Sequence, residues 1–341
     1  MKRSLSILCF IAIVLAAFFA FTDKGRVIII SKGSILLTNL QVAGAPPAQE
    51  KGTFRGEPCQ GALNRPVGVM IAGDPEARPL SGLSFADMVV EMPVTPDGIT
   101  RSLAIFQCMQ PEAIGSVRSA RGPFLGVAKG YDLIFGHWGG ERDSLARLRK
   151  GLLDNIDAIP NPFDAFYRKR VIPMPHDGFT SFKGLYEAAK KLRYPVAGEA
   201  KFLFSFEAKK LQDATAPEDI DVPYIGPFHV TYHYETLLAS YVRSRNGAPQ
   251  IDSLTKKQIQ AKNVLVLLAK IRPTYSQYVD VALDQSRGKM LAFRNGQVEQ
   301  GFWEKKGFSE PLLFYTSRGE ALALQPGATW VEVIADEPGT T

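Results

Sequence analysis

An uncharged run, Ser4 to Phe21, lies between Lys2-Arg3 and Asp23-Lys24 at the start of the chain. At 1.5 Å per helical residue such a run spans about 27 Å, enough to cross a bilayer's hydrocarbon core with little tilt. A secretory signal carries the same pattern, and only the cleavage site separates the two. Ala20-Phe21-Thr22 and Ala43-Gly44-Ala45 are poor cleavage sites, so residues 1–22 read as a membrane anchor. The alternative is a signal peptide and a secreted body. Residues 23–64 read as a stalk, with a short hairpin at Val27–Leu37 and linker chemistry from Ala45-Pro46-Pro47 to Pro58.

Beyond residue 64 the pattern becomes that of a packed body. Val67–Ala72 is a short apolar run suited to a buried strand, and Asp74–Ser84 is rich in Pro, Gly and Ser and reads as loop. Asp87–Val94 and Ile99–Gln107 flank Thr95-Pro96-Asp97-Gly98, the signature of a hairpin with a three-residue loop. That register sets Glu91 opposite Leu103 and on the same face as Arg101. Further along, Asp132–Gly136 predicts a strand, and Asp143–Leu153 a basic helix capped by Asp143 or Ser144. Thr180 or Ser181 caps a helix running to Leu192, and Lys201–Phe206 predicts another strand. From Phe228 onward short alternating strands follow one another, with turns at Asn246-Gly247, Ser286–Gly288, Asn295-Gly296 and Ser317–Gly319. The expected fold is a mixed α/β (α+β) domain over 65–210, then a mainly β domain over 220–336.

Composition narrows the class. With 341 residues and 45% hydrophobic, the chain can bury a substantial core; 22% charged residues and mean hydropathy near zero exclude a disordered or multi-span chain. The net charge of +6 is scattered rather than gathered in a stripe, so no nucleic-acid partner is expected. Short basic clusters at Arg147–Lys150, Arg168–Arg170 and Lys190–Arg193 read as solvated faces, or as weak attraction to anionic lipid or wall polymer. Three cysteines make no metal set, and no metal or cofactor is expected. Cys9 lies inside the apolar run; Cys59 and Cys108 either pair or remain two thiols, which their spacing does not decide.

Candidate chemistry concentrates between Ser81 and Ser181. Arg118 and Arg121 sit among Gly115, Ser116 and Ser119 with few acidic neighbours. Guanidinium groups so placed suit bidentate capture of a carboxylate or phosphate; the competing reading pairs them with Glu91, Asp97 and Glu112. Glu91 is the carboxylate that could serve as general acid or base, with Asp74, Asp87 or Asp97 as a second carboxylate for glycoside chemistry. Ser119 and His137 could be partners in nucleophilic catalysis, but no Gly-x-Ser-x-Gly elbow is present. His229 and His233 share a strand face without a third ligand, and Walker and dinucleotide motifs are missing.

A family resemblance rests on RPVGVMIAGDPEARPLSGLSFADMVVEMPV, GITRSLAIFQ, IGSVRSAR, HWGG and PHDGFTS, followed by AKNVLVLLAKI, DVALDQSRGKMLAFRNGQVEQGFWEKK and LQPGATWVEVI. In this order, over about 65–335, the chain resembles the YerB-like family of bacterial envelope lipoproteins, a family of unknown function (DUF3048). The resemblance implies a two-part body outside the cytoplasmic membrane, and no known reaction. It also implies polar family positions at Arg78, Ser81, Glu91, Arg101, Arg118, Ser119, Arg121, His137 and His176. The chain departs from the family at Asp177, where Asn is usual, at Gln250, where His is frequent, and in lacking a lipidation cysteine at the end of the apolar run.

Two functions follow as expectations. One is an envelope binding protein whose ligand contacts are Arg78, Ser81, Arg101, Arg118, Ser119 and Arg121, and whose partner is an envelope polymer or small anion. The other is a wall glycan hydrolase with Glu91 as acid or base and His137 or His176 as helper.

Overall fold

Val67–Ala72 is buried at every position, as a strand covered on both faces must be. It is β1 of a computed structural model describing residues 27–28, 53–197, 204–208, 219–274 and 277–336. The first half adds strands β2 (Met88–Pro93), β3 (Thr100–Phe106), β4 (Ile134–His137), β5 (Asn155–Asp157), β6 (Phe166–Arg168) and β7 (Gly178–Thr180). It also holds helices α1 (Gly122–Gly130), α2 (Arg142–Arg149) and α3 (Phe182–Lys191). The second half is almost entirely strand: β8 (Asp219–Val222), β9 (Val230–Glu235), β10 (Ser240–Arg245), β11 (Asn263–Ala269), β12 (Ser286–Arg294), β13 (Gln297–Lys305), β14 (Leu313–Thr316) and β15 (Thr329–Ala335). The mixed first half and mainly β second half match the expected class.

One sheet runs through both halves, in the order β14-β13-β12-β11-β15-β2-β3-β1-β4-β5. The halves join where β15 pairs in parallel with β2, from Thr329↔Met88 to Glu332↔Glu91. Strand alternation then sorts the core into two layers. Val67, Val69, Val89, Ala104, Val264, Phe293 and Trp330 point to one face, where α3 and the smaller sheet containing β8, β9 and β10 cover them. Met70, Met88, Val90, Leu103, Leu265, Met290 and Val331 point to the other, beneath α1.

Several local expectations change. Residues 53–64, read as stalk, belong to the packed body: Phe54 is fully buried, edge-on to Tyr131 at 5.3 Å. Cys59 and Cys108 form a disulfide, with Cα atoms 5.5 Å apart. The hairpin loop holds four residues rather than three, because Val94 donates its N–H to the Ile99 carbonyl at 2.8 Å. Glu91 therefore pairs with Ser102, Arg101 pairs with Met92, and the two charges occupy opposite faces. Ser286–Gly288 opens β12 instead of forming a turn; the left-handed residue is Gln285. The expected anchor over 1–22 and most of the stalk lie outside the described residues, as do residues 201–203 of the strand expected at 201–206, of which Ser205–Phe206 is strand. Among the described residues no helix is long and apolar enough to cross a membrane.

Candidate functional site

Glu91 lies on the face shared with the smaller sheet and is fully buried. Arg245 Nη2 reaches both of its oxygens at 2.5 and 2.6 Å, and Arg243 Nη2 donates to Oε2 at 2.8 Å. Thr100 Oγ1 (2.6 Å) and Ser102 Oγ (3.2 Å) donate to the same carboxylate. Arg243, buried over the Trp330 ring, also meets Glu332 at 3.2 Å and donates Nε–H to Tyr232 at 2.9 Å. Burial opposes ionisation of Glu91, but Arg245 and then Arg243 outweigh it and hold the carboxyl at about 2. Such a group is an ionised tie between the two halves. With no solvent exposure and its lone pairs committed, it cannot exchange protons with a bound glycan, which corrects the general acid/base expectation. Arg78 belongs beside this cluster: Nη2 donates to the carbonyls of Gly73 (2.7 Å) and Pro227 (3.0 Å). Burial lowers Arg78 to about 10, with Arg245 adding to the shift.

The opposite face carries a different arrangement. Segment 116–121 runs along the end of β1, fixed by Ala72 N–H to Ser116 O (3.0 Å) and Arg118 N–H to Met70 O (2.9 Å). It ends at Arg121, the residue preceding α1. This path brings Arg118 and Arg121 to Arg101 of β3. Arg101 Nη1 is 2.9 Å from Asp74 Oδ2, and Arg118 Nε is 3.7 Å from the same oxygen. Arg121 stacks on Tyr278, its guanidinium carbon 4.4 Å from the ring centroid. Arg101 and Arg121 line a cavity of about 490 Å³ whose walls include Val94, Pro96, Ile99 and Tyr278, with Asp97 at the exposed hairpin tip.

Two guanidiniums thus meet on Asp74, with Arg121 beside them and also within reach of the Glu141 charge. Their other contacts are main-chain carbonyls: Thr100 O for Arg101 (2.9 Å), Pro175 O for Arg118 (3.2 Å) and Ala120 O for Arg121 (2.9 Å). Among the described residues, the buried Nε atoms of all three have no hydrogen-bond partner, nor do Ser116 Oγ and His176 Nδ1. Burial lowers the Arg101 guanidinium to about 10; Asp74 opposes that shift, while Arg118 and Arg121 add to it. Burial likewise lowers Arg121, against Tyr278 and Glu141. The carboxylates nearby are Asp74, Glu141 and, at the cavity mouth, Asp97.

The remaining candidates separate. Ser81 is buried, and its Oγ donates to Ala113 O at 3.2 Å. His137 is fully buried, stacked on Phe135, with Nδ1 2.8 Å from Gly139 O and Nε2 3.2 Å from Asn155 Oδ1. Such a ring orients the Trp138–Gly140 turn and offers substrate no free nitrogen. His176 follows Pro175, whose carbonyl holds Arg118, and is the one candidate histidine beside the arginine group. Ser119 lies between Arg118 and Ala120, half-buried. His229 and His233 face Asp221 (2.5 Å) and Asp219 (2.9 Å), and no metal-binding group occurs among the described residues. Sequence reasoning missed Arg243, Arg245 and Glu332, and missed Asp74 as the partner of the arginines. The alternation of arginines in Ser240–Arg245 signals a polar strand face, but not its burial.

Comparison with known proteins places this architecture. The N-terminal domain of a protein family of unknown function, DUF3048, matches residues 55–195, and its C-terminal domain matches residues 220–331. A Bacillus subtilis (strain 168) protein described as "Putative lipoprotein YerB" is 32% identical over 280 residues, 80% of this chain and 82% of that protein. The crystal structure of YerB from Bacillus subtilis superposes with a TM-score of 0.73 at 29% identity, covering 84% of this chain and 97% of that one. The chain belongs to the YerB-like, DUF3048 family.

Proposed function

We propose that this protein works outside the cytoplasm at the cell envelope and binds an anionic, carboxylate- or phosphate-bearing envelope ligand through Arg101, Arg118 and Arg121. The observation that carries this reading is the meeting of Arg101 and Arg118 on Asp74, with Arg121 beside them at a cavity and the buried Nε of each without a hydrogen-bond partner. An anion entering there gains charge-assisted hydrogen bonds where water is scarce. Tyr278, Pro96 and Ile99 offer apolar surface to the body of a glycan or peptide, as ligand cavities commonly do. The lipoprotein description of the Bacillus relative and the apolar Ser4–Phe21 run support the location. Asp74 sets the spacing of two of the arginines and would meet an ammonium or hydroxyl of the same ligand.

Calorimetric titration of the full chain in detergent tests the proposal, with muropeptide monomers and oligomeric glycerol phosphate as probes. Saturable binding to at least one probe is expected, weakened by salt and reduced roughly 10- to 100-fold in Arg118→Ala and Arg121→Ala. Absence of binding, or unchanged affinity in both variants, removes the arginine group from the account.

A further inference from the structure

The segment from Ile159 to Met174 gathers several exposed apolar side chains in one stretch. Val171 is 91% exposed, Met174 74%, Ile159 68% and Phe163 52%. The segment flanks and extends one hairpin. β6 and β7 pair antiparallel and end at Arg168↔Gly178, so residues 169–177 form the tip. Ile159 and Phe163 precede the same strand, and Ile159 lies against Gly139.

Cations stand beside these side chains. Lys191 Nζ lies 5.2 Å from the Phe163 ring centroid, and Lys169 and Arg170 adjoin Val171. Lys256, in a neighbouring turn, is close enough to Lys169 to repel it. Arg168 is neutralised by Asp177 (2.7 Å) and Lys190 by Glu187 (3.0 Å). Of the other cations, Lys169 feels Glu112 and Lys191 feels Glu187, while Arg170 and Lys256 have no ion pair within 4 Å among the described residues.

Part of the tip's backbone is paired internally. Lys169 N–H bonds Asp177 O (2.8 Å), Ile172 N–H bonds Lys169 O (2.9 Å) and His176 N–H bonds Pro173 O (2.9 Å). Pro160, Pro162, Pro173 and Pro175 have no N–H to satisfy. Such pairing lowers the cost of carrying the tip into the interfacial layer of a bilayer, where the remaining N–H groups still meet water and headgroups. Exposed apolar side chains with cations next to Phe163 and Val171 suit a soft anionic surface.

We infer that the Ile159–Met174 tip is a membrane-docking surface, which inserts Phe163, Val171 and Met174 among anionic lipids while Lys169, Arg170 and Lys191 contact the headgroups. This surface shares no residue with the cavity lining and touches the arginine group through the Pro175 carbonyl that accepts from Arg118. Docking would orient the body at the bilayer beyond what a tether alone does.

The test uses the full chain with vesicles of brominated phosphatidylglycerol or brominated phosphatidylcholine. Tryptophan is placed at Phe163→Trp, at Met174→Trp, or at the exposed control Leu237→Trp in the β9–β10 turn, and emission is read as the difference from the parent chain. Quenching at 163 and 174 but not at 237, in phosphatidylglycerol vesicles only, is expected. Replacing Lys169 and Arg170 by Gln should lower the ratio of docked to undocked tip by about 30-fold, from ~1 kcal/mol per cation at an anionic surface. Two tip positions guard against one failing to fold. No quenching at either tip position, quenching equal to that at 237, or equal quenching by phosphatidylcholine overturns the inference. The first of these results would point to a protein partner instead.

Discussion

Glu91 and Asp87 are both fully buried carboxylates, yet burial acts on them with opposite outcomes. For Asp87 burial dominates: main-chain N–H groups of Cys108 (2.9 Å) and Gln107 (2.6 Å) and the distant Arg55 (3.7 Å) do not offset it, and the carboxyl rises from 3.8 to about 6. Between those values the folded state holds more protons than the unfolded one, so this residue's contribution to stability falls as pH rises. Asp87→Asn should flatten that part of the profile, measured as urea midpoints from pH 4 to pH 6. Glu91 has two guanidiniums in contact, and its folded value of about 2 lies below the ordinary 4.5. Its contribution is complete above about 4.5 and is lost as pH falls toward about 2. Glu91→Gln leaves Arg243 and Arg245 buried without their counter-charge and should cost about 3–5 kcal/mol in denaturant unfolding. A variant of near-parental stability would show that Glu91 is not the tie described.

At the scale of elements, turn chemistry was legible and register was not. Asn246-Gly247 and Asn295-Gly296 adopt the left-handed pairs that tight hairpins require. Thr95–Gly98 was recognised as a turn, but its extra residue moved Arg101 to the far face, and no sequence rule separates three-residue from four-residue loops at that motif. Gly98 has φ 89°, and a Cβ there would lie 2.6 Å from Ile225 Cβ, so Gly98→Ala should destabilise by about 1–3 kcal/mol. α1 escaped notice because Gly122, Gly126 and Gly130 are poor helix formers. Packing explains two of them: a Cβ at Gly126 would meet Asp284 at 2.6 Å, and one at Gly130 would meet the Glu310 carbonyl at 2.2 Å. The Cys59–Cys108 bridge closes a separation of 49 residues, so Cys59→Ser/Cys108→Ser should lose about 2–4 kcal/mol in thermal or denaturant unfolding.

At the scale of the molecule, the two family domains share a sheet, a parallel strand pair and a buried charge cluster. The sequence announced the change of texture near residue 220, yet not that β15 returns to lie beside β2. Arg243 and Arg245 are 152 and 154 residues from Glu91, and such pairings leave no local pattern. Because the halves have no separate core, they should unfold together, and far-ultraviolet dichroism and tryptophan fluorescence should report one coincident transition. Two separated transitions would contradict the continuous sheet as the stabilising unit.

The account's central claim is that Arg101, Arg118 and Arg121, whose Nε–H groups lack a hydrogen-bond partner, hold an anionic ligand. Arginine Nε–Hε resonances, assigned by single substitution, read those groups directly during titration with muropeptide monomers or oligomeric glycerol phosphate. Saturable shifts of all three, with Arg243 and Arg245 unmoved, are the predicted result. Unmoved Arg101, Arg118 and Arg121 signals in the presence of a probe that demonstrably binds would contradict it.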